Sequence, residues 1–240
     1  MISQVFHTAL YVPLYNALVF LTSVIPGADI GLAVIALTVI VRFVLLPLSH
    51  KQRNTQVKMK LLEGEMANIK KNYENDKKVQ GEKIMALYKE HGINPFSGFL
   101  LILVQIPILL ALYFVFTKGI PFDTKDLYNF VSLPGNIDAN FFGLLDLSAE
   151  NLWVAILVGV SQYFQTVLAL PPQSAPAKGK ENDFSSAFAK SMNTNMRYVM
   201  PVIIVLVSAT LPAVVSLYWL TSNLFGIIHE LIVRKKAKQI

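Results

Sequence analysis

Long apolar stretches alternate with polar, charged stretches along the whole chain. The apolar stretch from Ile30 to Leu48 contains one charged residue, and the stretches 96–116 and 152–170 contain none. Runs of this length are typical of membrane-spanning helices, because about 20 helical residues are needed to cross the hydrocarbon core of a bilayer. The pattern therefore predicts an all-α integral membrane protein.

The last apolar block is too long for a single crossing. Residues 200–233 would form a helix of about 51 Å at 1.5 Å per residue, whereas the hydrocarbon core is about 30 Å thick. A turn near Thr210-Leu211-Pro212 divides the block into two short helices, and their shortness predicts local thinning of the bilayer. Five spans are thus predicted, at 30–48, 96–116, 152–170, 198–211 and 212–233.

The positions of the basic residues predict how these spans are oriented. Residues 51–95 carry ten Lys or Arg, residues 171–199 carry four, and residues 117–151 carry two beside five acidic residues. Cytoplasmic loops of membrane proteins are enriched in Lys and Arg. The amino terminus and the loop 117–151 are therefore predicted to lie outside, and the cytoplasmic segments to be 49–95, 171–197 and the basic tail 234–240.

The amino-terminal segment, residues 1–29, is apolar but short. Its apolar part runs from Tyr11 to Ile25, about 15 residues, and ends at Pro26-Gly27. This length favours an interfacial helix on the outer face of the membrane. A sixth crossing would also place the basic residues that follow Lys51 outside, against the charge pattern.

The segment 49–95 is predicted to form a cytoplasmic helical hairpin. Apolar residues recur at helical spacing from Val57 to Tyr73 and again from Ile84 to His91, on either side of the polar sequence at residues 75–78. The hairpin is either a solvated, self-packed element or a basic docking arm for a partner. The candidate docking residues are Lys58, Lys60, Lys70, Lys71, Lys77 and Lys78 in the hairpin and Arg234, Lys235 and Lys236 in the tail.

The composition agrees with a membrane protein and gives no sign of catalysis. Hydrophobic residues make up 54% of the chain and charged residues 15%, against about 25% charged in soluble domains. The chain has no cysteine, no GxxxxGK[ST] phosphate loop, no HExxH pair and no GxSxG nucleophile motif. We therefore expect no catalytic residue, metal site or cofactor. The net charge of +6 follows the predicted topology and gives no reason to expect specific nucleic-acid recognition.

Arg42 is the only charge inside the first predicted span. A charge at the centre of a spanning helix costs about 2.5 to 3.5 kcal/mol on insertion scales. One explanation is snorkelling, since Leu48 lies only about 9 Å further along the helix. The other explanation is a water-filled cavity that Arg42 lines together with polar side chains of other spans. Each of these side chains could instead form a hydrogen bond between helices. These side chains belong to Gln105, Ser161, Gln162, Gln165, Ser216, Thr221, Ser222 and Asn223.

Several short motifs occur in a characteristic order along nearly the whole chain. They are Tyr11-Val-Pro-Leu-Tyr-Asn16, Val41-Arg42-Phe-Val-Leu-Leu-Pro47-Leu48, Asn94-Pro95 followed by Gln105-Ile-Pro107-Ile108, and Leu217-Tyr-Trp219-Leu-Thr-Ser222-Asn223-Leu-Phe225. Each motif alone is weakly specific. Their order, together with the charged hairpin and the five predicted spans, resembles the YidC/Oxa/Alb family of membrane protein insertases in its short bacterial form.

The resemblance implies five transmembrane helices around a hydrophilic groove that opens to the cytoplasm and to lipid and is closed on the outer side. It also implies an insertase or chaperone, not an enzyme, that moves hydrophobic segments of nascent membrane proteins into the bilayer without nucleotide hydrolysis. Arg42 matches the family's groove arginine, and Gln162 and Trp219 match its other substrate-contacting positions. The predicted groove residues are therefore Arg42, Gln105, Gln162, Gln165, Trp219, Ser222 and Asn223.

The resemblance also implies partners and a location. The hairpin and the basic tail look like the family's elements for receiving substrate and contacting the ribosome or targeting machinery. The Sec translocon and membrane lipid are further implied partners. The implied location is the bacterial cytoplasmic membrane.

Two other functions stay open at the level of the residues. In a small-solute or anion channel, Arg42 would be a selectivity charge, and liposomes containing the protein would conduct ions. In a membrane scaffold, the hairpin would recruit cytoplasmic proteins, residues 58–89 would be essential and Arg42 would be dispensable.

Overall fold

Most of the described residues lie in helices. In the computed structural model, residues 2–94, 97–118, 124–135, 138–169 and 194–237 are described. They divide into two compact units, one of residues 1–42 and 110–240 and the other of residues 43–109. We call the first the bundle unit and the second the hairpin unit.

The elements follow one another in a simple order. The first helix, α1, consists of Ile2–Phe6, a π-helical turn at His7–Tyr11, and Val12–Val24. The next elements are α2 (Ile30–Val44), α3 (Leu46–Leu61), α4 (Glu63–Asn72), α5 (Lys77–Glu90) and α6 (Ser97–Lys118). The remaining elements are β1 (Asn140–Phe141), β2 (Leu145–Asp146), α7 (Leu152–Ala169), α8 (the π-helical turn Asn195–Val199 continued by Met200–Ser208) and α9 (Ala213–Ala237).

Several helices have the length or the apolar character that a membrane requires. Within the described residues, Gln4–Val24 and Leu152–Ala169 are long and apolar enough to cross a bilayer. Shorter apolar helices are Ile30–Val44, Ile106–Thr117 and Asn195–Ser208. Most of the predicted cytoplasmic loop 171–197 lies outside the described residues.

Helix α1 is longer than the apolar stretch that predicts it. Its apolar part, Gln4–Val24, has 21 residues, so the argument that this segment is too short to cross is wrong. The helix begins at Ile2, before the apolar stretch, because the polar residues before Tyr11 are part of a π-helical turn that continues the helix. It ends where Ile25 turns extended and Gly27 adopts a positive φ of 78°. The position of α1 relative to the membrane therefore depends on its contacts with other elements.

Helix α7 is apolar on two opposite faces. Val154, Ala155 and Val158 are buried on the face that packs against α8 and α9. On the opposite face, Trp153, Leu157 and Phe164 are exposed. An exposed apolar face requires an apolar surrounding. This arrangement fits a helix that is packed on one side and covered by lipid on the other.

Gly159 allows α8 to approach α7 closely. A Cβ at this position would contact the Val205 side chain and would lie 3.1 Å from the Pro201 carbonyl oxygen. Because that carbonyl belongs to the backbone, we expect Gly159→Ala to destabilise the bundle unit by about 1 to 3 kcal/mol. Thermal unfolding in detergent measures this loss. The matched control is Gly81→Ala in α5, where nothing lies within 4 Å and the better helix former is expected to be neutral or stabilising. Equal unfolding temperatures for both variants would contradict the packing role of Gly159.

The hairpin unit has its own small core. Leu62, Leu87, Tyr88 and Ile93 are buried, with Met59, Met66, Ile69 and Ile84 packed against them. Burial raises the pKa of Tyr88 above its ordinary value, and its hydroxyl donates to Met66 Sδ at 2.9 Å. The spacing of the apolar residues predicts that Leu61 is packed, but its side chain is 78% exposed. The helix breaks at Leu62, and the residues before and after the break therefore do not share one face.

Gln80 connects the two helices of the hairpin. Its side chain is buried and its Nε2 donates to the carbonyl oxygen of Lys70 at 3.0 Å, with a longer contact of 3.4 Å to that of Tyr73. These carbonyls lie at the carboxyl end of α4, where helical partners are lacking. Asp76 begins α5 by accepting a hydrogen bond from Val79 N at 3.0 Å.

Replacing Gln80 is expected to loosen the hairpin. Gln80→Ala leaves carbonyls at the end of α4 without their donor, which costs about 1 to 3 kcal/mol for buried groups. Amide hydrogen exchange in α4 and α5 of the full chain should accelerate accordingly. Glu82→Ala, at an exposed position two residues later, is the control and should leave exchange unchanged. Unchanged exchange in Gln80→Ala would show that the side chain does not hold the turn.

Candidate functional site

Arg42 is fixed by a residue that lies 180 positions later in the sequence. Its Nε donates to Ser222 Oγ at 2.7 Å, and its Nη2 also contacts the same hydroxyl oxygen. The contact joins the carboxyl-terminal turn of α2 to the middle of α9. Among the described residues, Arg42 has no carboxylate partner. The positive charge is therefore held in place without being neutralised.

The face of α9 that meets Arg42 carries residues at four-residue spacing. Tyr218, Ser222 and Gly226 follow one another along it, and Tyr218 and Ser222 are buried. Gly226 lies against the side-chain amide of Gln165 on α7, which contacts the place where a Cβ would be. The face therefore brings together a guanidinium, a hydroxyl and an amide from three helices. Gly226 was not predicted from the sequence, although its position four residues after Ser222 is a small-residue spacing typical of close helix packing.

Asn223 makes a different contact from that of its neighbour Ser222. It is buried, and its Nδ2 donates to Ser161 Oγ at 3.0 Å and approaches the Val158 carbonyl oxygen at 3.4 Å. Ser161 is also buried and donates to the Val158 carbonyl at 2.8 Å. Asn223 and Ser161 therefore form a hydrogen bond between α9 and α7, which is the alternative to lining a cavity with Arg42.

Ser216 also has a structural contact. Its Oγ lies 2.7 Å from Ser208 Oγ, and it donates to the Ser208 carbonyl at 3.3 Å. Both serines are buried, and the contact fastens the end of α8 to the start of α9. Thr221 donates to the Leu217 carbonyl of its own helix at 2.8 Å. The hydrogen bonds of Arg42 go to Ser222 and to neither of these residues.

The other predicted site residues are placed separately. Gln162 and Trp219 are half-buried, and Gln162 Nε2 donates to Thr166 Oγ1 at 3.2 Å, one turn along α7. Gln105 lies on α6, and its side chain is outside what the structure describes. In the hairpin unit Lys58, Lys71 and Lys78 are exposed and Lys70 is half-buried. Lys235 is exposed at the end of α9, whereas the side chains of Lys60, Lys77, Arg234 and Lys236 are not among those described.

The segment 138–151 holds together one end of the bundle unit. Asp29 caps α2 by accepting from Leu32 N through Oδ1 and also accepts from Phe142 N through Oδ2, both at 3.0 Å. At its other end, the Leu147 carbonyl accepts from Val214 N at 3.0 Å and the Ala149 carbonyl from Ala213 N at 2.8 Å. This segment therefore links the start of α2 to the start of α9.

A small antiparallel ladder shapes this segment. Asn140 pairs with Asp146 and Phe141 with Leu145. Gly31 in α2 has no side chain, and the Phe141 ring occupies the place where its Cβ would be. We call residues 138–151 the outer clamp, because they lie in the loop that the charge pattern predicts to be outside.

The described residues contain no group of three or more His, Asp or Glu side chains that would hold a metal ion. The chemistry available at Arg42 is therefore that of a fixed cation with a hydroxyl partner. Such a site attracts an anionic or polar group.

Comparisons with known proteins agree with this architecture. Residues 20–239 match the family described as the 60Kd inner membrane protein. The chain is 33% identical over 210 residues to the membrane protein insertase YidC of Fusobacterium nucleatum subsp. nucleatum, covering 87% of this chain and 88% of that protein. It is 31% identical over 222 residues to the membrane protein insertase YidC of Clostridium tetani, covering 92% and 89% of the two chains.

The fold is also similar to that of a solved protein. An active YidC insertase, in a crystal structure with its first transmembrane domain resolved, superposes with a TM-score of 0.55 at 25% identity. The match covers 94% of this chain and 45% of that chain, so this chain spans less than half of the solved protein. The family resemblance predicted from the motifs is confirmed. The chain belongs to the 60Kd inner membrane protein family, which includes the membrane protein insertases named YidC.

Proposed function

We propose that this chain is a membrane protein insertase that moves hydrophobic segments of nascent membrane proteins from the cytoplasm into the bilayer through a positively charged groove. The observation that carries the proposal is the state of Arg42. It is bonded to Ser222 and has no carboxylate partner among the described residues. A partly buried cation without a counter-ion is energetically costly, and such residues inside spans are by default functional.

The proposed role of Arg42 is to lower the barrier for a polar or acidic substrate segment. A substrate carboxylate at about 4 Å would interact with the guanidinium by about 4 kcal/mol at an effective dielectric constant of 20. Ser222 restrains the guanidinium, which retains N–H donors for the substrate because arginine has five. The guanidinium can therefore bind a substrate carboxylate without first breaking an ion pair within the protein.

The driving force is proposed to come from the substrate itself. Burial of a Leu-sized side chain contributes about 1.5 to 3 kcal/mol, so a spanning segment gains enough free energy to enter lipid spontaneously. Insertion then requires a lowered barrier and no nucleotide hydrolysis. The protein accordingly has a binding groove, and we assign it no catalytic residue and no cofactor.

The groove is proposed to be formed by the residues around Arg42. Gln165 is included because its side-chain amide lies against Gly226, on the face of α9 that carries Ser222. Gln162 lies one turn earlier than Gln165 on α7. Trp219 is included because it is half-buried beside Tyr218. Gln105 stays a prediction from the sequence alone. Asn223 we assign to packing, since its amide is used by α7.

The proposed membrane arrangement has five spans with the amino terminus outside and the carboxyl terminus in the cytoplasm. The apolar helices and the distribution of basic residues support it. Helix α1 is placed along the outer surface, because Asn16 near its middle binds the loop after α6 through Asp126 and Tyr128. A loop that reaches the middle of α1 fits a helix lying at the surface better than one crossing the bilayer.

The location and the partners follow from the same proposal. Family membership supports a bacterial inner-membrane protein. The exposed Lys58, Lys71, Lys78 and Lys235 offer positive charge for the ribosome or targeting machinery, with the Sec translocon as a further partner. Lipid surrounds the apolar faces of α7 and α8.

Reconstitution of the purified chain tests the function directly. Liposomes with and without the protein receive a small single-span substrate made in vitro, and insertion is measured as protection from added protease. The proposal predicts protection that depends on the protein, with no ion flux across the same liposomes. Flux without protection would contradict the insertase and favour the channel.

A further inference from the structure

One cavity in the bundle unit contains none of the residues proposed for the groove. It measures about 310 Å³ and is lined by Phe6, His7 and Tyr11 of α1, Phe114 of α6 and Asp126 of the following loop. All five residues belong to the bundle unit. The lining therefore combines four aromatic rings with one carboxylate.

The rings are held by contacts with one another. His7 and Tyr11 stack with centroids 5.2 Å apart, and both belong to the π-helical turn of α1. Tyr11 also stacks on the buried Tyr15 at 5.8 Å. Phe6 meets Phe114 edge to face at 6.3 Å and 84°. The aromatic lining is thus fixed from two helices.

Asp126 is positioned through its backbone, which leaves its carboxylate available. Asn16 is buried, donates to the Asp126 carbonyl at 2.7 Å and accepts from Tyr128 N at 2.7 Å. The carboxylate lies 3.4 Å from His7 Nε2. Charge-assisted hydrogen bonds are usually about 2.7 to 2.9 Å, so this contact is loose. The His7 side chain is also 50% exposed, which leaves the carboxylate weakly compensated.

We propose that this cavity binds an ammonium group. Aromatic faces attract cations, and a carboxylate adds the opposite charge. This combination favours primary or quaternary ammonium and disfavours phosphate and other anions. The source of the ammonium is either the head group of a zwitterionic phospholipid or a small soluble amine. The site is independent of the proposed insertase function, because no groove residue takes part in it.

Lipid retention by the purified full chain tests the lipid source. Native mass spectrometry compares phosphatidylethanolamine and phosphatidylcholine with phosphatidylglycerol of the same acyl chains. We expect preferential retention of the two ammonium lipids. Phe114→Leu keeps an apolar residue but removes the ring, and it should weaken retention roughly 3-fold to 30-fold, the range of cation–π energies. Asp126→Asn should weaken it by at least about tenfold, since it removes the charge.

The control and the second arm make the outcomes distinct. Phe130→Leu changes an exposed ring outside the cavity and should leave retention unchanged. Calorimetric titration of the delipidated protein with ethanolamine or tetramethylammonium tests the soluble source, again with Asp126→Asn as the negative variant. Binding in either arm that depends on Asp126 supports the site and identifies its source. Equal retention of all three lipids together with no amine binding would overturn the proposal. So would binding that is unaffected by both Phe114→Leu and Asp126→Asn.

Discussion

Arg42→Ala is expected to slow the insertion of substrates with acidic outer segments by at least about tenfold. The variant removes the only charge within the first predicted span, and with it the attraction to an acidic substrate segment. A loss of about 1.4 kcal/mol from this attraction already slows insertion tenfold. Substrates with neutral outer segments should insert at nearly the wild-type rate, because they carry no negative charge that Arg42 could attract. The measurement is protease protection over time in liposomes.

Two variants separate charge from geometry at this position. Arg42→Lys keeps the positive charge and should retain most of the activity, whereas it loses the forked contact with Ser222. Ser222→Ala keeps Arg42 but releases its guanidinium, so an intermediate rate is expected. If Arg42→Ala inserted acidic and neutral substrates at wild-type rates, the proposed role of the charge would be wrong.

Asp29→Ala is expected to open the outer clamp and destabilise the bundle unit by about 2 to 4 kcal/mol. Asp29 is largely buried, and its two oxygens accept from Leu32 N and Phe142 N. Loss of a helix cap costs about 1 kcal/mol, and loss of the hydrogen bond between a partly buried amide and a carboxylate adds about 1.5 to 3 kcal/mol. Thermal unfolding in detergent and exchange of the Phe142 amide measure the effect.

Matched variants isolate the role of the clamp. Asp29→Asn keeps one acceptor oxygen and should lose less stability than Asp29→Ala. Asp146→Ala removes an acid of the same segment whose contact with Ser148 N is exposed, and it should change stability little. The clamp assignment would fail if Asp29→Ala and Asp146→Ala unfolded at the same temperature. Liposomes containing Asp29→Ala should also leak small ions, since the linked ends of α2 and α9 would separate.

Arg42 was predictable from the sequence because a charge within an apolar run is conspicuous at any distance from its partners. Its partner was not. Ser222 lies 180 positions away and shares its region with Thr221 and Asn223, which differ little in polarity. Only the packed helices decide that Ser222 faces Arg42, Asn223 faces Ser161 and Thr221 bonds within its own helix. A hydrogen bond between distant helices leaves no local pattern.

The outer clamp shows a second limit of pattern reading. Its strands have two residues each, too few for an alternation of apolar and polar positions to be recognised. Asp29 is a recognisable helix cap before α2, but its bond to Phe142 depends on the position of a loop more than 100 residues later. The length of α1 was missed for a different reason. A π-helical turn at His7–Tyr11 continues the helix through polar residues that favour a later start.

The hairpin illustrates where periodicity succeeds and where it fails. Leu62, Ile69 and Ile84 lie at or beside the small core, as their spacing suggests. Leu61 is exposed because the break at Leu62 shifts the register. Gln80 has no signal in a hydrophobicity pattern, since a buried amide between two helix ends is specified by the turn geometry alone.

The coupling between Arg42 and a substrate carboxylate tests the central claim most directly. Insertion rates are measured for wild type and Arg42→Ala, each with a substrate whose outer segment is acidic and with one in which that acid is replaced by its amide. The account predicts that the effects of the two changes are not additive, with a coupling of at least about tenfold in rate, or about 1.4 kcal/mol. Additive effects, with Arg42→Ala equally harmful to both substrates, would contradict an interaction between the two charges.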